Sequence, residues 1–498
     1  MDALLERLAD WKPFTALVVG DFMLDQLLSG DAERLSADAP VPILHVRQSE
    51  SRPGGAANLC LDLVAMRGRV EAFGVTGEDH EASILREALA NEGVAAAGLI
   101  ADASRPTTVK RSLIGLAQQR HPQKMFRVDF ESREAIGEAV MDRLVRAFES
   151  RLGDADVVCI EDYNKGVCTP ALCARIIEAS RRAGVPVFVD PAAIEDYGRY
   201  RGATAITPNR TEAELATDLP TDAEGSAAHN ARLATVLRDD LELEAVVLTL
   251  DRHGALLLEG AGEPVAVPTI AREVYDVTGA GDMMLAALAA ARANGCSWLD
   301  SVRFANAAAG LEVEIFGVQP IPLDKIHHEI LVRHGRLDGK LRTAKQLELE
   351  LRFRREAGER VVFTNGCFDV LHAGHVRTLA AAKAFGDFLV VGLNSDASVR
   401  ALKGEGRPVN CEADRAAVLG AMESVGAVVV FGEATPEAIL SVVKPDVHVK
   451  GADYRDKPIP ERALVESLGG RVELVDLLPG RSTTGTIERL RTPTAAAE

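Results

Sequence analysis

Residues 360–375, RVVFTNGCFDVLHAGH, join a short apolar run to a polar turn that leads into a helical pattern. The apolar run lacks the alternation of a half-exposed strand, so it indicates a strand of a parallel sheet that is covered on both faces. Four more runs of this kind follow: DFLVVGLNSD (387–396), AVVVFGE (427–433), PDVHVKG (445–451) and RVELVDLLP (471–479). Together they predict a doubly wound α/β domain of about 140 residues.

Six similar runs lie upstream, mostly followed by helical stretches: TALVVGDF (15–22), VEAFGVTG (70–77), DADVVCIED (154–162), VPVFVDP (185–191), ATAITPN (203–209) and EAVVLTL (244–250). This alternation predicts another α/β domain with a mostly parallel sheet. The pattern weakens at QPIP (319–322), and the charged run KQLELELRFRREAGE (345–359) precedes the next strand. We therefore predict one domain over 1–335, a helical linker over 336–357 and a second domain over 358–498.

The composition is that of a soluble globular protein: 498 residues, 47% hydrophobic and 26% charged, with a mean hydropathy of +0.03. The net charge of −18 argues against binding duplex nucleic acid through a general positive field. The excess is confined to residues 1–339, which hold 34 basic and 52 acidic residues, whereas the remainder holds 22 of each. The chain lacks an apolar leader and a run of about 18 apolar residues. We expect a cytoplasmic protein with neither a membrane nor a nucleic-acid partner.

The seven cysteines are scattered along the chain without any C-x-x-C pair. This spacing predicts neither a disulfide framework nor a zinc knuckle, and it is typical of a reducing compartment.

The segment DVTGAGD (276–282) is followed by the helical run MMLAALAAARANG (283–295). A flexible glycine turn at a helix N-terminus gathers backbone N–H groups and the positive end of the helix dipole, a combination that holds phosphate oxygens. Asp282 at this place is a candidate base for a hydroxyl that attacks a γ-phosphate. The alternative is that Asp282 is simply an acid favoured at a helix N-terminus.

DVTGAGD, GGAAN (54–58) and GDFMLD (20–25) resemble motifs of the ribokinase-type (PfkB) carbohydrate kinases, and the similarity covers roughly residues 12–330. The resemblance implies a ribokinase-like fold with a mostly parallel central sheet and a small β lid, and it implies ATP and Mg²⁺ as cofactors. It also implies that Asp282 is the catalytic base. The nucleotide phosphates would lie against Thr278, Gly279, Ala280 and Gly281.

The N-x-x-E motif within TPNRTEAE (207–214) is expected to position the metal and the nucleotide through Asn209, Arg210, Thr211 and Glu212, with Glu212 as the metal ligand. The expected sugar-binding residues are Asp21, Asp25, Gly54, Gly55 and Asn58, and the less favoured alternative for Asp25 is a solvated turn acid. Lys110, Arg111, Arg127 and Lys165 are candidates for the phosphate of the substrate, or simple surface charges. EDYNKG (161–166) resembles a stretch of the heptose kinases, but DPAA (190–193) replaces their D-P-K-G, which leaves the sugar open.

His372 and His375 stand three residues apart at the start of a predicted helix, with Gly374 between them. As a metal pair they would need a further ligand at suitable spacing, and the neighbouring sequence offers none. Phosphate binding at a helix N-terminus is the favoured interpretation.

This H-x-G-H motif resembles the signature of the nucleotidyltransferase superfamily, which implies a Rossmann-like domain in which His372 and His375 are catalytic. KGADY (450–454) and the S-T-T of PGRSTTGTIERL (479–490) resemble further motifs of the superfamily. The expected nucleotide contacts are Thr364, Asn365, Gly366, Cys367, Phe368, Gly374, Lys403, Arg407, Lys450, Gly451, Asp453, Ser482, Thr483 and Thr484. Asp369 is expected either to contact the acceptor sugar or to stabilise its turn.

The order of the two motif sets resembles a family of bifunctional enzymes, the D-glycero-β-D-manno-heptose 7-phosphate kinases and 1-phosphate adenylyltransferases. This resemblance implies two ATP-dependent steps toward an ADP-activated heptose for the lipopolysaccharide core, and a homodimer formed through the kinase domain. Three alternatives stay open: a kinase for another sugar phosphate, one degenerate half that binds nucleotide without chemistry, and a cytidylyltransferase as the second half.

Overall fold

A computed structural model describes residues 2–116, 123–222, 224–269, 279–315, 319–337, 340–356, 358–455 and 457–476. The chain divides into two compact units, Trp11–Ile326 (the first unit) and Met1–Asp10 with His327–Glu498 (the second unit). This division places the first ten residues with the second unit. The limits 335 and 357 given by the sequence stay predictions.

The first helix, α1, covers Asp2–Ala9 and belongs to the second unit. Thirteen strands are described in the first unit. The strands are β1 (Phe14–Gly20), β2 (Phe22–Leu35), β3 (Pro42–Gly55), β4 (Gly68–Thr76), β5 (Ala95–Ala101), β6 (Thr108–Leu116), β7 (Gln123–Phe130), β8 (Val157–Glu161), β9 (Val187–Asp190), β10 (Ala205–Ile206), β11 (Ala245–Thr249), β12 (Ala255–Glu259) and β13 (Val265–Val267). Each of the six predicted strands is present.

Nine of these strands form one sheet in the order β13-β12-β11-β10-β9-β8-β1-β4-β5. All neighbours are parallel except β11–β12 and β12–β13. The chain leaves β1 toward β4 on one side and later returns to β8 on the other. The sheet therefore has a topological switch point between β1 and β8, where ligands of open α/β sheets bind beyond the carboxyl ends of the strands.

The remaining four strands form a separate sheet, the lid, in the order β3-β2-β6-β7. β2 runs antiparallel to β3 and parallel to β6, and β7 is antiparallel to β6. Only Asp21 separates the end of β1 from the start of β2. The lid thus continues directly from β1 of the main sheet, at the switch point.

Helices cover the main sheet because its strands are apolar on both faces. Leu17, Val19 and Phe73 pack against helix residues on one face in a single buried cluster, and Ala16 and Val18 are also buried. The helices are α2 (Ala56–Ala65), α3 (His80–Asn91), α4 (Glu138–Glu149), α5 (Pro170–Ala183), α6 (Arg210–Thr217), α7 (Ala227–Leu241), α8 (Ala280–Ala293) and α9 (Trp298–Glu312). The next helix, α10 (Leu323–Leu337), contains the division between the two units, which falls after Ile326.

The second unit contains a six-stranded parallel sheet in the order β14-β17-β16-β15-β18-β19. Its elements are β14 (Leu341–Arg342), α11 (Ala344–Glu356), β15 (Val361–Gly366), α12 (Ala373–Lys383), β16 (Phe388–Asn394), α13 (Asp396–Lys403), α14 (Glu412–Gly420), β17 (Ala427–Phe431), α15 (Glu437–Val443), β18 (Val447–Gly451), α16 (Arg462–Ser467) and β19 (Arg471–Val475). Each of the five predicted strands is present, and the switch point lies between β15 and β18.

Two apolar clusters cover the two faces of this sheet, and alternate β15 residues enter each: Val361 and Phe363 one, Val362 the other. Helix α11 supplies Leu347 and Leu351 to the first cluster, so the segment predicted as a linker packs into the core of the second unit. The α/β fold class predicted for both parts is confirmed. No helix in the described part of the chain combines the length and hydrophobicity of a membrane span.

Arg415 on α14 has a side chain with no exposed surface. Its guanidinium donates to the carbonyl oxygens of Asn410, Cys367 and Asn394 at 3.0, 2.6 and 2.8 Å, and to Asp396 at 2.7 Å. Arg415 therefore links the loops that follow β15, β16 and α13. Its hydrogen bonds and its ion pair compensate the buried positive charge.

Arg415→Met is expected to destabilise the second unit by about 3 kcal/mol, because it removes the buried donor of three carbonyl groups and one carboxylate. Both tryptophans, Trp11 and Trp298, lie in the first unit. In guanidinium denaturation, the midpoint seen by far-ultraviolet circular dichroism should fall while the tryptophan fluorescence midpoint stays. The exposed Arg400→Met is the control, and equal effects of the two changes would contradict this role.

Candidate active sites

A pocket of about 450 Å³ lies beyond the carboxyl ends of β8, β9 and β10, at the N-termini of α6 and α8. Its polar lining residues are Arg133, Glu161, Asp162, Tyr163, Asn164, Asp190, Thr207, Asn209, Glu212, Thr249 and Asp282. Pro191, Ala192, Ala193, Gly279 and Gly281 complete it. The structure thus brings DPAA, the N-x-x-E motif and the GAGD turn to one place, next to the switch point of the main sheet.

Helix α8 begins at Ala280, so the helix starts two residues before Asp282 rather than after it as predicted. Gly279 precedes the helix with a φ of 90°, a conformation that glycine adopts without strain. The N–H groups of the first helical residues have no partner within a helix, so they are available to bind an anion at this end. Thr278 lies outside the described residues.

Asp282 is buried, and both of its carboxylate oxygens accept a hydrogen bond. The hydroxyl of Tyr163 donates to Oδ1 at 2.7 Å, and Nδ2 of Asn58 donates to Oδ2 at 2.8 Å. Burial raises the pKa of Asp282 to about 6, and the two hydrogen bonds oppose that rise. The carboxylate is therefore ionised at neutral pH and has lone pairs left for a hydroxyl group.

Two further carboxylates lie beside Asp282. One oxygen each from Glu161, Asp190 and Asp282 fall within 4.8 Å of one another. Oε2 of Glu161 is buried and has no hydrogen-bond partner in the described part of the protein. Burial raises the pKa of both Glu161 and Asp190 well above the usual value, and neighbouring carboxylates add to the effect. A divalent cation would relieve this repulsion, and carboxylate oxygens are the ligands that Mg²⁺ prefers.

The sequence prediction did not include Glu161 or Asp190 as ligands. Both are the last residues of parallel strands, β8 and β9, and carboxyl ends of adjacent parallel strands meet at one edge of a sheet. An acid at each predicted strand end was the signal that could have indicated them.

The N-x-x-E motif forms a capping box at the start of α6. Oδ1 of Asn209 accepts from the N–H of Glu212 at 2.9 Å, and Oε2 of Glu212 accepts from the N–H of Asn209 at 2.8 Å. One Glu212 oxygen is therefore used locally and the other is left for the pocket. Thr211 is exposed in the first turn, and Arg210 packs against Gly225.

Asp25 lies on β2 of the lid beside Gly54 of β3. Oδ1 of Asp25 is buried and has no hydrogen-bond partner within the described ranges. A Cβ atom at Gly54 would come within 2.5 Å of Oδ2 of Asp25, and one at Gly55 within 2.6 Å of Met23 Cε. The two glycines thus leave room for an acid that lacks a donor, which is what a sugar hydroxyl would supply.

Asp21, also predicted to bind sugar, contacts the loop after β8 instead. Its carboxylate accepts from the backbone N–H groups of Tyr163 at 2.9 Å, Lys165 at 3.0 Å and Val167 at 3.4 Å. The Asp21 carboxylate thus has three hydrogen-bond donors within the protein. Direct contact of Asp21 with a sugar stays a prediction.

The four predicted phosphate-binding cations do not lie together. Lys110 on β6 lies opposite Asp25 on the neighbouring strand β2. The adjacent Arg111 points to the opposite face of the lid, where its guanidinium lies over the Phe130 ring. Arg127 lies on the same face as Lys110, and its guanidinium pairs with Asp129 at 2.8 Å.

Lys165, the fourth cation, is nearly buried and forms an ion pair with Glu131. Lys110 forms no ion pair among the described residues. Of the four cations it is therefore the most available to bind an anionic ligand.

In the second unit, His372 caps helix α12 and its ring stacks on that of His375, with 4.0 Å between ring centroids. Nδ1 of His372 accepts from the N–H of Gly374 at 3.2 Å, and Nδ1 of His375 accepts from the N–H of His372 at 3.3 Å. A neutral imidazole that accepts at Nδ1 carries its proton at Nε2. Both histidines therefore offer an Nε2–H donor beside a helix N-terminus.

Burial lowers the pKa of His375 to about 4, and His372 contributes to the same effect. His375 is therefore neutral at physiological pH. The described residues also place no histidine in a group of three metal-ligating side chains. The arrangement fits an anion and not a metal ion.

Lys450 reaches this site from the end of β18. Its ammonium donates to Oδ1 of Asn365 at 2.8 Å and pairs with Glu461 at 2.5 Å. Burial disfavours the ionised form of Glu461, but its hydrogen bonds with His448 and Lys450 outweigh burial and lower its pKa to about 2. Glu461 was not predicted. It follows the KGADY motif by several residues, and no local pattern marks it.

The loop after β15 gathers other predicted residues. Asp369 accepts from the N–H groups of Val409 at 2.6 Å and Asn410 at 3.1 Å, and it forms an ion pair with Arg407. This geometry supports the alternative in which Asp369 stabilises its turn. The ion pair with Asp369 also occupies one N–H group of Arg407.

The remaining predicted residues of the second site are spread over several elements. Thr364 donates to the carbonyl of Val449 at 2.9 Å, and the Phe368 ring lies 5.5 Å from that of His375. Lys403 and Asp453 are exposed. Gly366, Cys367, Gly374 and Gly451 lie at the strand and helix ends that border the site. Ser482, Thr483 and Thr484 lie outside the described residues.

The fold and the two sites define a class, an enzyme that joins a carbohydrate kinase to a nucleotidyltransferase. Residues 15–326 match the family described as pfkB family carbohydrate kinase, and residues 363–481 match the family described as Cytidylyltransferase-like. A ribokinase from Arabidopsis thaliana with ribose and ATP has a TM-score of 0.50 at 20% identity, covering 64% of this chain and 99% of its own. Phosphofructokinase-2 from Escherichia coli has a TM-score of 0.51 at 18% identity over 63% and 96%. These structures share the fold of the first unit.

Relatives along the full length are called Bifunctional protein HldE. Those from Geotalea uraniireducens and Geobacter sulfurreducens are both 43% identical, covering 96% and 95% of this chain and the same shares of their own. The relative from Rhodopseudomonas palustris is 40% identical over 99% of each chain. The chain belongs to this bifunctional family, with a pfkB-type kinase as its first part.

The neutral state of His375 can be tested by the nitrogen-15 shifts of labelled histidine side chains, with His375→Gln identifying the signal. We expect a titration near pH 4 in the free protein, because burial disfavours the imidazolium. Binding of a nucleoside triphosphate should raise this pKa, because the anion favours the charged ring. A His375 titration near pH 6.5 in the free protein would contradict this description of the site.

Proposed function

We propose that the first unit phosphorylates D-glycero-β-D-manno-heptose 7-phosphate at its C1 hydroxyl with ATP, and that the second unit transfers AMP from ATP to heptose 1-phosphate, giving an ADP-activated heptose and pyrophosphate. The observation that carries this proposal is that both sites are assembled in one chain whose relationship to the bifunctional family extends along its full length. The product would serve the synthesis of the lipopolysaccharide core.

In the kinase step, Asp282 is the proposed base. Its buried, ionised carboxylate accepts the proton of the attacking hydroxyl, while the N–H groups at the start of α8 stabilise the negative charge on the transferred phosphoryl group. The sugar is held from the lid by Asp25, whose free oxygen accepts a hydroxyl. Lys110 and Arg127, on the same face of the lid as Asp25, are placed to hold the phosphate that the substrate already carries.

The acidic residues of the pocket fit a magnesium ion. Glu161, Asp190 and Glu212 would hold it, because Oε2 of Glu161 lacks a partner in the described structure and one oxygen of Glu212 is free of the capping box. When bound, Mg²⁺ neutralises charge on the phosphates of ATP. Gly281 helps to keep this corner open, because a Cβ atom there would lie 3.3 Å from Oδ2 of Asp190.

In the nucleotidyl step, His372 and His375 donate from Nε2 to the phosphate that is attacked. Lys450 adds a fixed positive charge, because Glu461 and Asn365 hold its ammonium in place. These donors stabilise the negative charge that develops on phosphorus as the 1-phosphate of the sugar attacks and pyrophosphate leaves, so no covalent intermediate with the protein is needed.

The two activities are expected to be separable. Asp282→Asn should lower sugar phosphorylation by about 10²- to 10⁴-fold and leave nucleotidyl transfer unchanged, because it removes the base. His375→Ala should lower nucleotidyl transfer by about 10²- to 10³-fold and leave the kinase unchanged. Phosphorus NMR with ATP, Mg²⁺ and either heptose 7-phosphate or heptose 1-phosphate follows both reactions.

The exposed residues Asp251 and His253 supply matched controls as Asp251→Asn and His253→Ala. Loss of both activities from either site variant, in a folded protein, would contradict the two-site proposal. Comparing ATP with CTP, and heptose with hexose and pentose phosphates, tests the choice of substrates. A preference for CTP or for another sugar would overturn that part of the proposal.

We also propose a homodimer formed through the lid. Phe126, Val128 and Phe130 alternate along β7 and expose 62%, 42% and 45% of their surface on the face opposite Lys110. Three apolar side chains in one exposed row are typical of an association surface. A second copy is the proposed occupant.

Phe126→Glu should dissociate this dimer, because a charged group would be buried in an apolar contact. Light scattering after size exclusion should give twice the chain mass of 53.2 kDa for the original protein and for the control Val265→Glu, whose site lies on β13 outside the lid. The Phe126→Glu protein should give the single chain mass. A 53.2 kDa species for the original protein would exclude the dimer.

A cytoplasmic location is proposed on the basis of the cysteines. All seven are free thiols, and only Cys411 is exposed while Cys367 is half-buried. Free thiols throughout a chain are typical of a reducing compartment.

A further inference from the structure

The pocket of the first site is lined by more negative than positive charge. Arg133 is the single cationic side chain that lines it within the described part of the chain. Carboxylates of five residues line the same pocket: Glu161, Asp162, Asp190, Glu212 and Asp282. Ala192 and Ala193 of the DPAA segment also line it, and they contribute no charge. Arg133 is therefore the side chain of this pocket that can bind the phosphates of a nucleotide through a positive charge.

We propose that Arg133 is a phosphate-binding residue of the kinase, whose guanidinium contacts the γ-phosphate of ATP. This inference rests on the proposed function, since it takes a nucleoside triphosphate as the ligand and Asp282 as the base. The sequence prediction did not include Arg133, which lies in the segment that follows the last strand of the lid.

The guanidinium of Arg133 has donors left for a ligand. Its Nε donates to Oε1 of Glu131 at 3.2 Å, and its two terminal nitrogens have no hydrogen-bond partner among the described residues. The side chain keeps 70% of its surface exposed, so a ligand that enters from solvent can reach it. Two neighbouring N–H groups match the oxygens of a phosphate, and arginine is favoured at such contacts for this reason.

Glu131 fixes the direction of this guanidinium. While its Oε1 accepts from Arg133, its Oε2 pairs with the ammonium of Lys165, which is nearly buried. Because Lys165 holds the carboxylate from one side, Nε of Arg133 is bound at a defined place and the terminal nitrogens are left for the pocket. An arginine that is already held in place loses less side-chain entropy when it binds a ligand.

The backbone that follows Arg133 is attached to the loop after β8. The N–H of Ile136 donates to the carbonyl oxygen of Gly166 at 3.0 Å. Gly166 has a φ of 82°, and a Cβ atom at this position would clash with the carbonyl oxygen of Glu134. The two segments approach each other this closely because residue 166 is a glycine.

This attachment places Arg133 on the side of the pocket where the proposed base lies. The loop after β8 carries Tyr163, whose hydroxyl donates to Oδ1 of Asp282 at 2.7 Å. In the chemical step, the oxygen of the sugar hydroxyl bonds to the γ-phosphorus, the bond from that phosphorus to the bridging oxygen of ADP breaks, and the hydroxyl proton passes to Asp282. The γ-phosphate must then lie beside Asp282. A cation on that side opposes the repulsion between the phosphate and the acids of the pocket.

Arg133→Gln in the full chain tests this role through the steady-state kinetics of sugar phosphorylation with ATP varied. The ratio kcat/KM for ATP should fall by about 10- to 100-fold, because a charge-assisted contact with the γ-phosphate is lost. The inhibition constant of ADP, which competes with ATP and lacks the γ-phosphate, should change less than about twofold, as should KM for the sugar phosphate. Arg133→Lys keeps the charge without the planar fork and should recover part of the loss.

Arg201→Gln is the matched control, because Arg201 is an exposed arginine that pairs with Glu242 at 2.8 Å and is not among the described lining residues of the pocket. Its kinetics should equal those of the original protein. Nucleotidyl transfer, measured on the same samples, should be unchanged in all three variants. Tryptophan fluorescence, which reports the first unit, verifies that each variant is folded.

Three results would overturn the inference: kinetics of Arg133→Gln equal to those of Arg201→Gln, a loss confined to KM for the sugar phosphate, and an equal loss of affinity for ATP and ADP. The second would assign Arg133 to the phosphate that the substrate already carries. The third would place its contact away from the γ-phosphate.

Failure of the proposed function gives a different result. In that case the original protein itself transfers no phosphoryl group from ATP to any of the sugar phosphates, and the inference fails with it. If the original protein is active and Arg133→Gln is equally active at every ATP concentration, only the role of Arg133 is refuted.

Discussion

Burial of negative charge is the constraint on which the first unit depends. Asp282, Glu161 and Asp190 meet at one end of the main sheet, where each carboxylate loses hydration and repels the others. Such a cluster persists only if donors or cations oppose the cost. Asn58 and Tyr163 supply two donors, and the pocket leaves the remaining oxygens for metal and substrate. The strand order matters for the same reason, because it brings β1, β8 and β9 together and with them the loop after β8 that carries Tyr163.

The site of the second unit also suits an anionic ligand, but it is built from histidines and a lysine and not from carboxylates. Both sites lie at the switch point of a parallel sheet and at a helix N-terminus. Whereas the first gathers acids, the second presents two histidines, of which His375 is neutral, and a lysine that Glu461 holds in place. The charge distribution of the sequence agrees, since the acidic excess lies wholly in residues 1–339. In the proposed mechanism, capture of anionic substrates by the kinase therefore depends on local donors and on the proposed metal, against the field of its own surface.

The sequence was sufficient for six of the thirteen strands described in the first unit and for five of the six in the second, because buried parallel strands are apolar throughout. The strands of the lid were not predicted individually. The helix at His372 was predicted, because its capping residues are adjacent in the chain. It was not sufficient for contacts that join distant residues. Tyr163 and Asp282 are 119 positions apart, and only the fold brings them to 2.7 Å. The opposite directions of Lys110 and Arg111 follow from strand alternation and were predictable. The capping box of Asn209 and Glu212 shows the converse case, in which a motif expected to bind ligand also begins a helix.

The single residue between β1 and β2 has a mechanical consequence. Asp21 is the whole connection between β1 of the main sheet and β2 of the lid, and its carboxylate accepts a hydrogen bond from the loop that carries Tyr163. A change in the angle between β1 and β2 would therefore displace Asp21, and this hydrogen bond would carry the displacement to the loop. The direction of the first lid strand and the position of the loop beside Asp282 are thus coupled through one residue.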